Sequence, residues 1–220
     1  MRKVTCHSCG NEYAQIALHW NGNKCSWPEF TDRQMEMMRG LLLGDADIKR
    51  GTNGSIFRLR MTNKMFLEWV STKLSPLSRG VFLSESSSQQ KESALSANLK
   101  GTSDESEFSD LYGLRTVTHP QINELADWYD TGQKRYPDNL TTEMLRMWYV
   151  TDGWNHNNKV RIRCKQQSDE FDQVSNMFDK LGMDIYTDES RGTIRLSSSS
   201  SKQFFDATEA PPGFEYKWPK

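Results

Sequence analysis

The sequence of 220 residues lacks any hydrophobic run long enough to cross a membrane. The apolar run Gly40–Gly44 is far shorter than the roughly 20 residues that a membrane-spanning helix needs. The first six residues are not followed by an apolar signal segment either. We therefore expect an intracellular protein, cytoplasmic or in a nucleoid or organelle, that is neither secreted nor bound to a membrane.

The sequence also lacks an excess of charge of one sign. Its 28 Lys and Arg residues nearly balance its 29 Asp and Glu residues, so the net charge is −1. The chain as a whole is thus not the strongly basic protein that is typical of nucleic-acid binding. It is rich in aromatic residues, however, with 7 Trp, 10 Phe and 7 Tyr, which excludes a disordered chain and predicts one or two compact domains.

Cysteines are few, and they are clustered. Cys6, Cys9 and Cys25 lie within the first 30 residues, whereas Cys164 lies alone in the second half of the chain. This distribution does not fit a disulfide framework. A Cys-x-x-Cys pair followed by glycine, as at Cys6–Gly10, forms a tight turn that directs two thiolates at one metal ion.

Residues 1–30 are therefore predicted to bind a structural Zn²⁺ through Cys6, Cys9, His19 and Cys25, with His7 as the alternative nitrogen ligand. Metal binding would supply folding free energy to a segment too short and polar to have a core of its own. Reduced thiols without a metal are the alternative. A redox pair is disfavoured because no strand–helix unit surrounds the two cysteines.

One pattern occurs twice along the rest of the chain. The first copy starts with the capping signals Thr31 and Gln34, continues as an apolar helix and ends at residues 44–46, Gly-Asp-Ala. The second copy starts near Thr141 and ends at residues 151–153, Thr-Asp-Gly. Each helix therefore ends at an aspartate that is followed by a small residue, which indicates an internal duplication.

An alternating strand follows each of these helices, over residues 57–64 and 160–167. Because side chains of a strand alternate between its two faces, each strand has an apolar face for the core and a cationic face. Each strand leads into an amphipathic helix, a second hairpin region and a last strand–helix pair. Residues 84–107, rich in Ser, Gln and acidic residues, are predicted to form a long loop or a short helix.

Residues 38–46, MRGLLLGDA, resemble the motif that names the LAGLIDADG homing endonucleases, and residues 145–153, LRMWYVTDG, resemble a second copy. Two copies in one chain imply the monomeric, pseudo-symmetric form of this family. The resemblance covers about residues 31–218. It departs at Ala46, where the family usually has Gly, and at Met147 and Thr151, which stand where the first copy has Gly40 and Gly44.

The resemblance implies an α/β (α+β) fold of two αββαββα halves with saddle-shaped antiparallel sheets that face DNA. The expected boundaries are 1–30 for the zinc-knuckle-like segment, 31–130 for the first half, 131–140 for the linker and 141–220 for the second half.

The two aspartates suit a metal-dependent nuclease. Gly40 and Gly44 lie on one helical face, so a second helix can approach closely and bring Asp45 and Asp152 together. A divalent cation relieves the repulsion between two such carboxylates. Hard oxygen ligands favour Mg²⁺, with Mn²⁺ or Ca²⁺ in its place. The resemblance adds the backbone carbonyls of Gly44 and Thr151 as ligands.

Basic residues are concentrated around the two repeated strands. Residues 48–64 contain five basic and no acidic side chains, and residues 159–165 contain four basic and no acidic ones. Such strands can follow a major groove, where arginine pairs with guanine edges and phosphates. A solvated strand face is the alternative. The predicted DNA contacts are Lys49, Arg50, Arg58, Arg60, Thr62, Lys64, Arg115, Lys159, Arg161, Arg163, Lys165 and Arg195.

Asn63 and Gln166 occupy matching places at the strand ends, where the family often has polar groups that order catalytic water; Lys134 is a weaker candidate. The resemblance implies cleavage of both strands of a long, asymmetric double-stranded DNA, across the minor groove and with short 3′ overhangs. Alternatives on the same fold are an RNA maturase that acts on intron RNA and a non-cleaving DNA-binding regulator. A zinc-stabilised protein-interaction module is an unrelated third alternative.

Overall fold

The N-terminal segment forms a short hairpin and a helix that pack on the rest of the protein. A computed structural model describes residues 3–22, 25–51, 54–96, 108–126, 136–164 and 170–219. In the first of these ranges, β1 (Val4–Thr5) pairs antiparallel with β2 (Glu12–Tyr13), and α1 (Ile16–Asn21) follows. Elements this short are not stable alone, so the segment depends on contacts with the remainder of the chain.

The first half contains the predicted order of helices and strands, with one additional helix. Its elements are α2 (Asp32–Leu43), β3 (Asp47–Gly51), β4 (Gly54–Met61), α3 (Lys64–Lys73), β5 (Ser78–Glu85), α4 (Ser87–Ser96), β6 (Leu111–Thr116) and α5 (Ile122–Ala126). The four strands form an antiparallel sheet in the order β3-β4-β6-β5. The helix α4 lies within the stretch predicted as a long loop or short helix, whose residues 97–107 lie outside the described ranges.

The second half repeats this arrangement. Its elements are α6 (Thr142–Asp152), β7 (Gly153–His156), β8 (Lys159–Arg163), α7 (Glu170–Lys180), β9 (Ile185–Asp188), β10 (Thr193–Leu196) and α8 (Ser198–Ala207). The sheet order β7-β8-β10-β9 corresponds strand by strand to that of the first half. The duplicated αββαββα architecture predicted from the sequence is therefore confirmed. Residues 131–135 of the predicted linker lie outside the described ranges.

The two helices that carry the aspartates start at the predicted capping residues. Thr31 Oγ1 accepts a hydrogen bond from the backbone N–H of Gln34, whose side chain accepts one from the N–H of Thr31, which completes a capping box. Thr141 Oγ1 accepts a hydrogen bond from the N–H of Met144 at the start of α6 (3.2 Å). These caps determine where each helix begins, and hence where each aspartate lies relative to the helix.

Each half has its own hydrophobic core between sheet and helices. The predicted inward positions Phe57 and Leu59 are buried against Phe66 and Val70 of α3 in the first core. The corresponding Val160 and Ile162 are buried with Phe178 and Phe204 in the second core. The alternation of apolar and basic residues along the two strands therefore places the basic side chains on the outer face of each sheet. Among the described residues, no helix is both long and apolar enough to cross a membrane.

The two halves meet where α2 packs against α6. A side chain at Gly40 would overlap the carbonyl oxygen of Met144 and come within 2.7 Å of Met147 Cβ. A side chain at Gly44 would overlap Thr151 Oγ1. The larger residues of α6 thus fill the spaces that the two glycines leave on α2. The replacement of the two seam glycines by Met147 and Thr151 in the second motif therefore does not prevent close packing, because one helix of the pair supplies both glycines.

The seam between α2 and α6 can be tested with Gly40→Ala. We expect this substitution to destabilise the protein by about 1–3 kcal/mol, because overpacking the backbone of α6 outweighs the gain in helix propensity of about 1 kcal/mol. Urea-induced unfolding measures the difference. Gly22→Ala is the matched control, since its added carbon would lie 3.4 Å from the Leu18 carbonyl, an ordinary contact. A Gly40→Ala protein as stable as the parent would contradict this packing.

Candidate functional site

The ends of the two seam helices bring the predicted aspartates to one place. Asp152 is the last residue of α6, and Asp45 follows α2 by two residues. Asp152 Oδ2 lies 3.6 Å from the position that a Cβ of Gly44 would occupy. The carboxylate of one half therefore lies beside the backbone that immediately precedes the aspartate of the other half. Asp45 is exposed and Asp152 is partly exposed, so solvent reaches both.

A lysine from the C-terminal 3-10 turn (Glu215–Lys217) lies at the same place. Lys217 is 91% buried, since only 9% of its surface is accessible, and Nζ donates hydrogen bonds to the carbonyl oxygens of Val150 (2.7 Å) and Gly153 (2.6 Å). Tyr149 Oη donates in turn to the carbonyl oxygen of Lys217 (2.7 Å). These bonds fasten the C-terminal turn to the end of α6, where helix carbonyls have no partner within the helix.

The electrostatics of Lys217 connect it to both aspartates. Burial lowers the pKa of Lys217 to about 8, while the carboxylates of Asp152 and Asp45 act in the opposite direction by stabilising its charged form. Both carboxylates are therefore within electrostatic range of one ammonium group. The sequence analysis missed Lys217, because no local pattern around residue 217 indicates that this lysine lies near Asp152 and Asp45, which are far from it in the chain.

The atoms that could bind a metal ion at this place are oxygen atoms. The carboxylates of Asp45 and Asp152 and the adjacent backbone of Gly44 and Thr151 are the hard ligands that Mg²⁺, Mn²⁺ and Ca²⁺ accept. Thr151 Oγ1 is turned back onto its own helix, where it donates to the carbonyl oxygens of Met147 and Trp148 (both 3.1 Å). The threonine side chain thus packs in the seam, and only its backbone is available as a ligand.

The outer face of the first sheet carries a group of arginines. Arg58 lies opposite Arg115 in the β4–β6 register, and Arg60 lies two residues further along β4. Asp47 is next to Arg58 on β3, and its Oδ1 lies 2.6 Å from Arg58 Nε. This ion pair holds the Arg58 guanidinium through Nε, while 42% of the Arg58 side chain remains exposed. Lys49 lies on the same face, opposite Ile56.

The outer face of the second sheet repeats this arrangement. Arg161 lies opposite Arg195, and Arg163 lies opposite Thr193. Arg195 stacks over the exposed ring of Tyr186, at 4.6 Å from its centroid. Arg161, Tyr186 and Arg195 line an open concavity of about 630 Å³, together with the loop between β9 and β10. Lys159 is on the same outer face, at the hairpin that joins β7 to β8.

Three predicted DNA contacts are placed differently from the others. Arg50 lies opposite Ser55 in the β3–β4 register, so it shares the inward side of the strand with Ile48 and does not lie on the outer face. Lys64 begins α3, where its Nζ lies 3.6 Å from Glu68 and 5.6 Å from the Tyr112 ring centroid. Thr62 is an exposed residue in the bend after β4. The predicted strand over residues 57–64 thus ends at Met61.

Asn63 explains why that strand ends early. Its side-chain oxygen accepts a hydrogen bond from the N–H of Phe66 and caps α3, and its amide donates to the Gly213 carbonyl (2.8 Å). These contacts give Asn63 a structural role as the cap of α3, and its role in ordering catalytic water stays a prediction. The corresponding Gln166, together with Lys165 and Lys134, lies outside the described residues.

The sequence analysis missed one further cation of the first half. Arg79 of β5 is partly buried, and burial lowers the pKa of its guanidinium, with the neighbouring charge of Arg115 acting in the same direction. Phe82 of the same strand packs on Gly113, and Arg115 lies over its ring at 5.4 Å. In each sheet, therefore, an aromatic ring on the edge strand contacts an arginine of the neighbouring inner strand. The apolar–basic alternation of β5 is too irregular to predict this.

The N-terminal ligand set predicted from the sequence is brought together. One ligand atom from each of Cys6, Cys9, His19 and Cys25 lies within 4.8 Å of the other three. His7, the alternative nitrogen ligand, is exposed and contacts Ser8 Oγ instead. Burial disfavours the Cys6 thiolate, but hydrogen bonds from the backbone of Cys9 and Ser8 contribute to lowering its pKa to about 5. Burial raises the pKa of Cys25 to about 11, and the adjacent sulfurs of Cys6 and Cys9 add to the effect.

Comparison with known proteins is consistent with this geometry. The chain matches the LAGLIDADG DNA endonuclease family over residues 35–204, so it belongs to that family. Among solved structures it is similar to the homing endonuclease I-WcaI bound to its DNA recognition sequence, with 15% identity, a TM-score of 0.71, and coverage of 94% of this chain and 93% of that chain. This likeness shows the fold.

A second similar structure is I-DmoI in complex with DNA and Ca, with 15% identity, a TM-score of 0.43, and coverage of 80% of this chain and 88% of that chain. No curated protein sequence matches the chain.

Removing the buried cation tests the electrostatics of the site. We expect Lys217→Met to lower the free energy of unfolding by about 2 kcal/mol or more, because carbonyl oxygens at the end of α6 lose their donor and two carboxylates lose a neighbouring positive charge. Millimolar Mg²⁺ should restore part of this loss, since a cation bound by the folded state alone stabilises that state.

Urea unfolding with and without Mg²⁺ measures both effects. Lys202→Met is the control, because Lys202 is an exposed lysine paired with Asp206 on α8 and should change stability little. If Lys217→Met is as stable as the parent protein in the absence of Mg²⁺, Lys217 does not stabilise the end of α6 as expected.

Proposed function

We propose that the protein is a metal-dependent, site-specific endonuclease that makes a double-strand break in a long, asymmetric DNA target. One observation carries this proposal. The packing of α2 against α6 brings Asp45 and Asp152 to adjoining helix ends, and each helix leads directly into a sheet whose outer face is basic. Membership of the LAGLIDADG DNA endonuclease family supports the reaction class.

In this proposal Asp45 and Asp152, with the backbone carbonyls of Gly44 and Thr151, hold divalent cations, with Mg²⁺ as the expected ion and Mn²⁺ or Ca²⁺ able to bind in its place. Bound cations of this kind polarise a scissile phosphate, activate water and stabilise the leaving oxygen. Each aspartate acts mainly on one DNA strand, because each belongs to one half of a pseudo-symmetric protein. Lys217 keeps the end of α6 in position through its bonds to Val150 and Gly153.

The basic outer faces of the two sheets are proposed to bind the DNA. Arginine can pair with both acceptors of a guanine edge in the major groove, and lysine and arginine neutralise phosphates. The ion pair with Asp47 and the stacking of Arg195 on Tyr186 orient two of these guanidinium groups before DNA binds. The proposed contacts on the outer faces are Lys49, Arg58, Arg60, Arg115, Lys159, Arg161, Arg163 and Arg195.

A single chain is proposed to be sufficient for cleavage. Both aspartates and both basic faces belong to one chain, and the seam between the halves is formed within it. Since the two halves carry different side chains at matching positions, such as Asp47 and Trp154 opposite the corresponding arginines, the DNA half-sites that they recognise differ. This supports a monomer acting on an asymmetric target.

Binding to intron RNA as a maturase, or to DNA without cleavage, would use the same fold. The presence of both carboxylates at the seam favours cleavage over these alternatives, because a protein that only binds nucleic acid needs neither of them. A protein that binds an intron transcript tightly and leaves duplex DNA intact in the presence of Mg²⁺ would establish the alternative.

Replacing either aspartate tests the proposed chemistry. We expect Asp45→Asn and Asp152→Asn each to reduce double-strand cutting roughly a thousand-fold or more, because each removes a charged metal ligand, while DNA affinity changes little. Conversion of a plasmid that carries a selected target, from supercoiled to linear, measures cutting. Asp206→Asn is the matched control, since Asp206 is an exposed aspartate that pairs with Lys202 on α8 and lies outside the proposed site. Linear product at the parental rate from both variants would overturn the assignment.

Two arginines on opposite strand faces test the proposed DNA surface. We expect Arg163→Ala, on the outer face, to lower discrimination at one base step by about 1–3 kcal/mol. Arg50→Ala removes the same charge from the inward side of β3 and should leave sequence preference unchanged. Binding to a library of single-base variants of the target measures both. Loss of discrimination in Arg50→Ala and not in Arg163→Ala would place the DNA on the other face.

A further inference from the structure

We infer that Cys6, Cys9, His19 and Cys25 form a tetrahedral Zn²⁺ centre that fastens residues 3–30 to the helical side of the first half, away from the basic sheet face. The inference concerns stability and goes beyond the proposed cleavage of DNA. It rests on the geometry of the four side chains, on the backbone turn that supports Cys6, and on the residues against which the segment packs.

The four ligand atoms have the spacing of a metal centre. Zn²⁺ binds sulfur at about 2.3 Å and nitrogen at about 2.0 Å, so the ligands of a tetrahedral ion lie about 3.5 Å apart. Cys9 Sγ and His19 Nε2 are 3.6 Å apart, and all four ligand atoms lie within 4.8 Å of one another. The ring of His19 stacks on Tyr13 at 4.0 Å, an arrangement that fixes the direction of Nε2.

The backbone after Cys6 forms a tight turn that directs Cys6 and Cys9 to the same side. Gly10 donates its N–H to the Cys6 carbonyl (2.9 Å) and adopts a positive φ of 74°, which residues other than glycine rarely do. Three sulfurs that converge on one point repel one another when ionised, and a divalent cation among them removes that repulsion.

The segment packs on the helical side of the first half. Cys6, Ile16 and Trp20 are fully buried in the core that also contains Val70 of α3 and Leu74, which follows this helix. A groove of about 400 Å³ runs between β1 and the end of α3, lined on one side by residues 3–5 and on the other by residues of the helix and the turn that follows it. The basic residues of β4 lie on the opposite face of the sheet from α3, so the segment does not extend the proposed DNA surface.

A second set of contacts fastens the end of the segment. His119 Nε2 donates to the carbonyl oxygen of Pro28 (2.8 Å), and its ring packs edge-on against Trp27 at 5.0 Å. Phe30 donates its N–H to the side chain of Gln121 (2.9 Å). The segment is thus attached at both ends to the first half, while its own strands contain only two residues each. A metal that links residues 6, 9, 19 and 25 supplies the order that so small a unit cannot supply by itself.

The full-length protein, purified without chelators, tests the inference. We expect about one zinc per chain by elemental analysis, and replacement by Co²⁺ should give the absorption bands of tetrahedral thiolate coordination. Removing the metal with a chelator should lower the melting temperature by about 5 °C or more. Binding of duplex DNA below that temperature should stay within about twofold of the zinc-loaded value, because the segment lies away from the proposed DNA face.

Two histidines provide a matched pair of variants. His19→Ala should lose stoichiometric zinc and the cobalt bands, whereas His7→Ala, in the turn between Cys6 and Cys9 but outside the ligand set, should retain both. If His19→Ala does not fold, the parent protein is freed of metal with a chelator and titrated with Co²⁺. The bands of tetrahedral thiolate coordination should then appear at about one Co²⁺ per chain. Absence of zinc and of cobalt bands in the parent, or a Cys6–Cys9 disulfide in its place, overturns the metal centre. Loss of DNA affinity by tenfold or more in a folded, zinc-free protein overturns its placement away from DNA.

Discussion

The close packing of α2 against α6 is the contact on which the rest of the structure depends. It is possible because Gly40 and Gly44 leave space that Met147 and Thr151 occupy. The contact joins two separate cores and brings two helix ends together. Without it each half would still have a core, but neither half alone would contain both carboxylates of the candidate site.

The same packing concentrates negative charge at one place, and this charge can be balanced in two ways. Two helix C-termini, with the partial negative charge of their free carbonyl groups, converge beside two aspartates. Lys217 counters this charge from the C-terminal turn and is held there by carbonyl oxygens of α6. In the proposed function, divalent cations would bind at the exposed side of the site, and the basic sheet faces would attract the phosphates of DNA.

Several features could be predicted because their signals are local. Alternation along residues 57–61 and 160–163 identified the buried and basic faces, and the capping signals at Thr31 and Thr141 identified the starts of the two seam helices. Other features could not be predicted in this way. Arg50 is one of five basic residues in a short stretch, but the register of β3 against β4 turns it inward. Asn63 looked like a polar residue at a strand end and proved to be a helix cap.

Local spacing of residues was enough to predict the duplicated order of helices and strands, the family, the pair of aspartates and the cysteine–histidine set. Three other relations became visible only in the packed molecule: glycines of one helix accept the larger residues of the other, Lys217 lies beside aspartates from both halves, and the N-terminal segment packs on the helical side of the first sheet. Those relations join residues far apart in the chain, and which of them meet is set by how whole helices and sheets pack, a property that no local pattern contains.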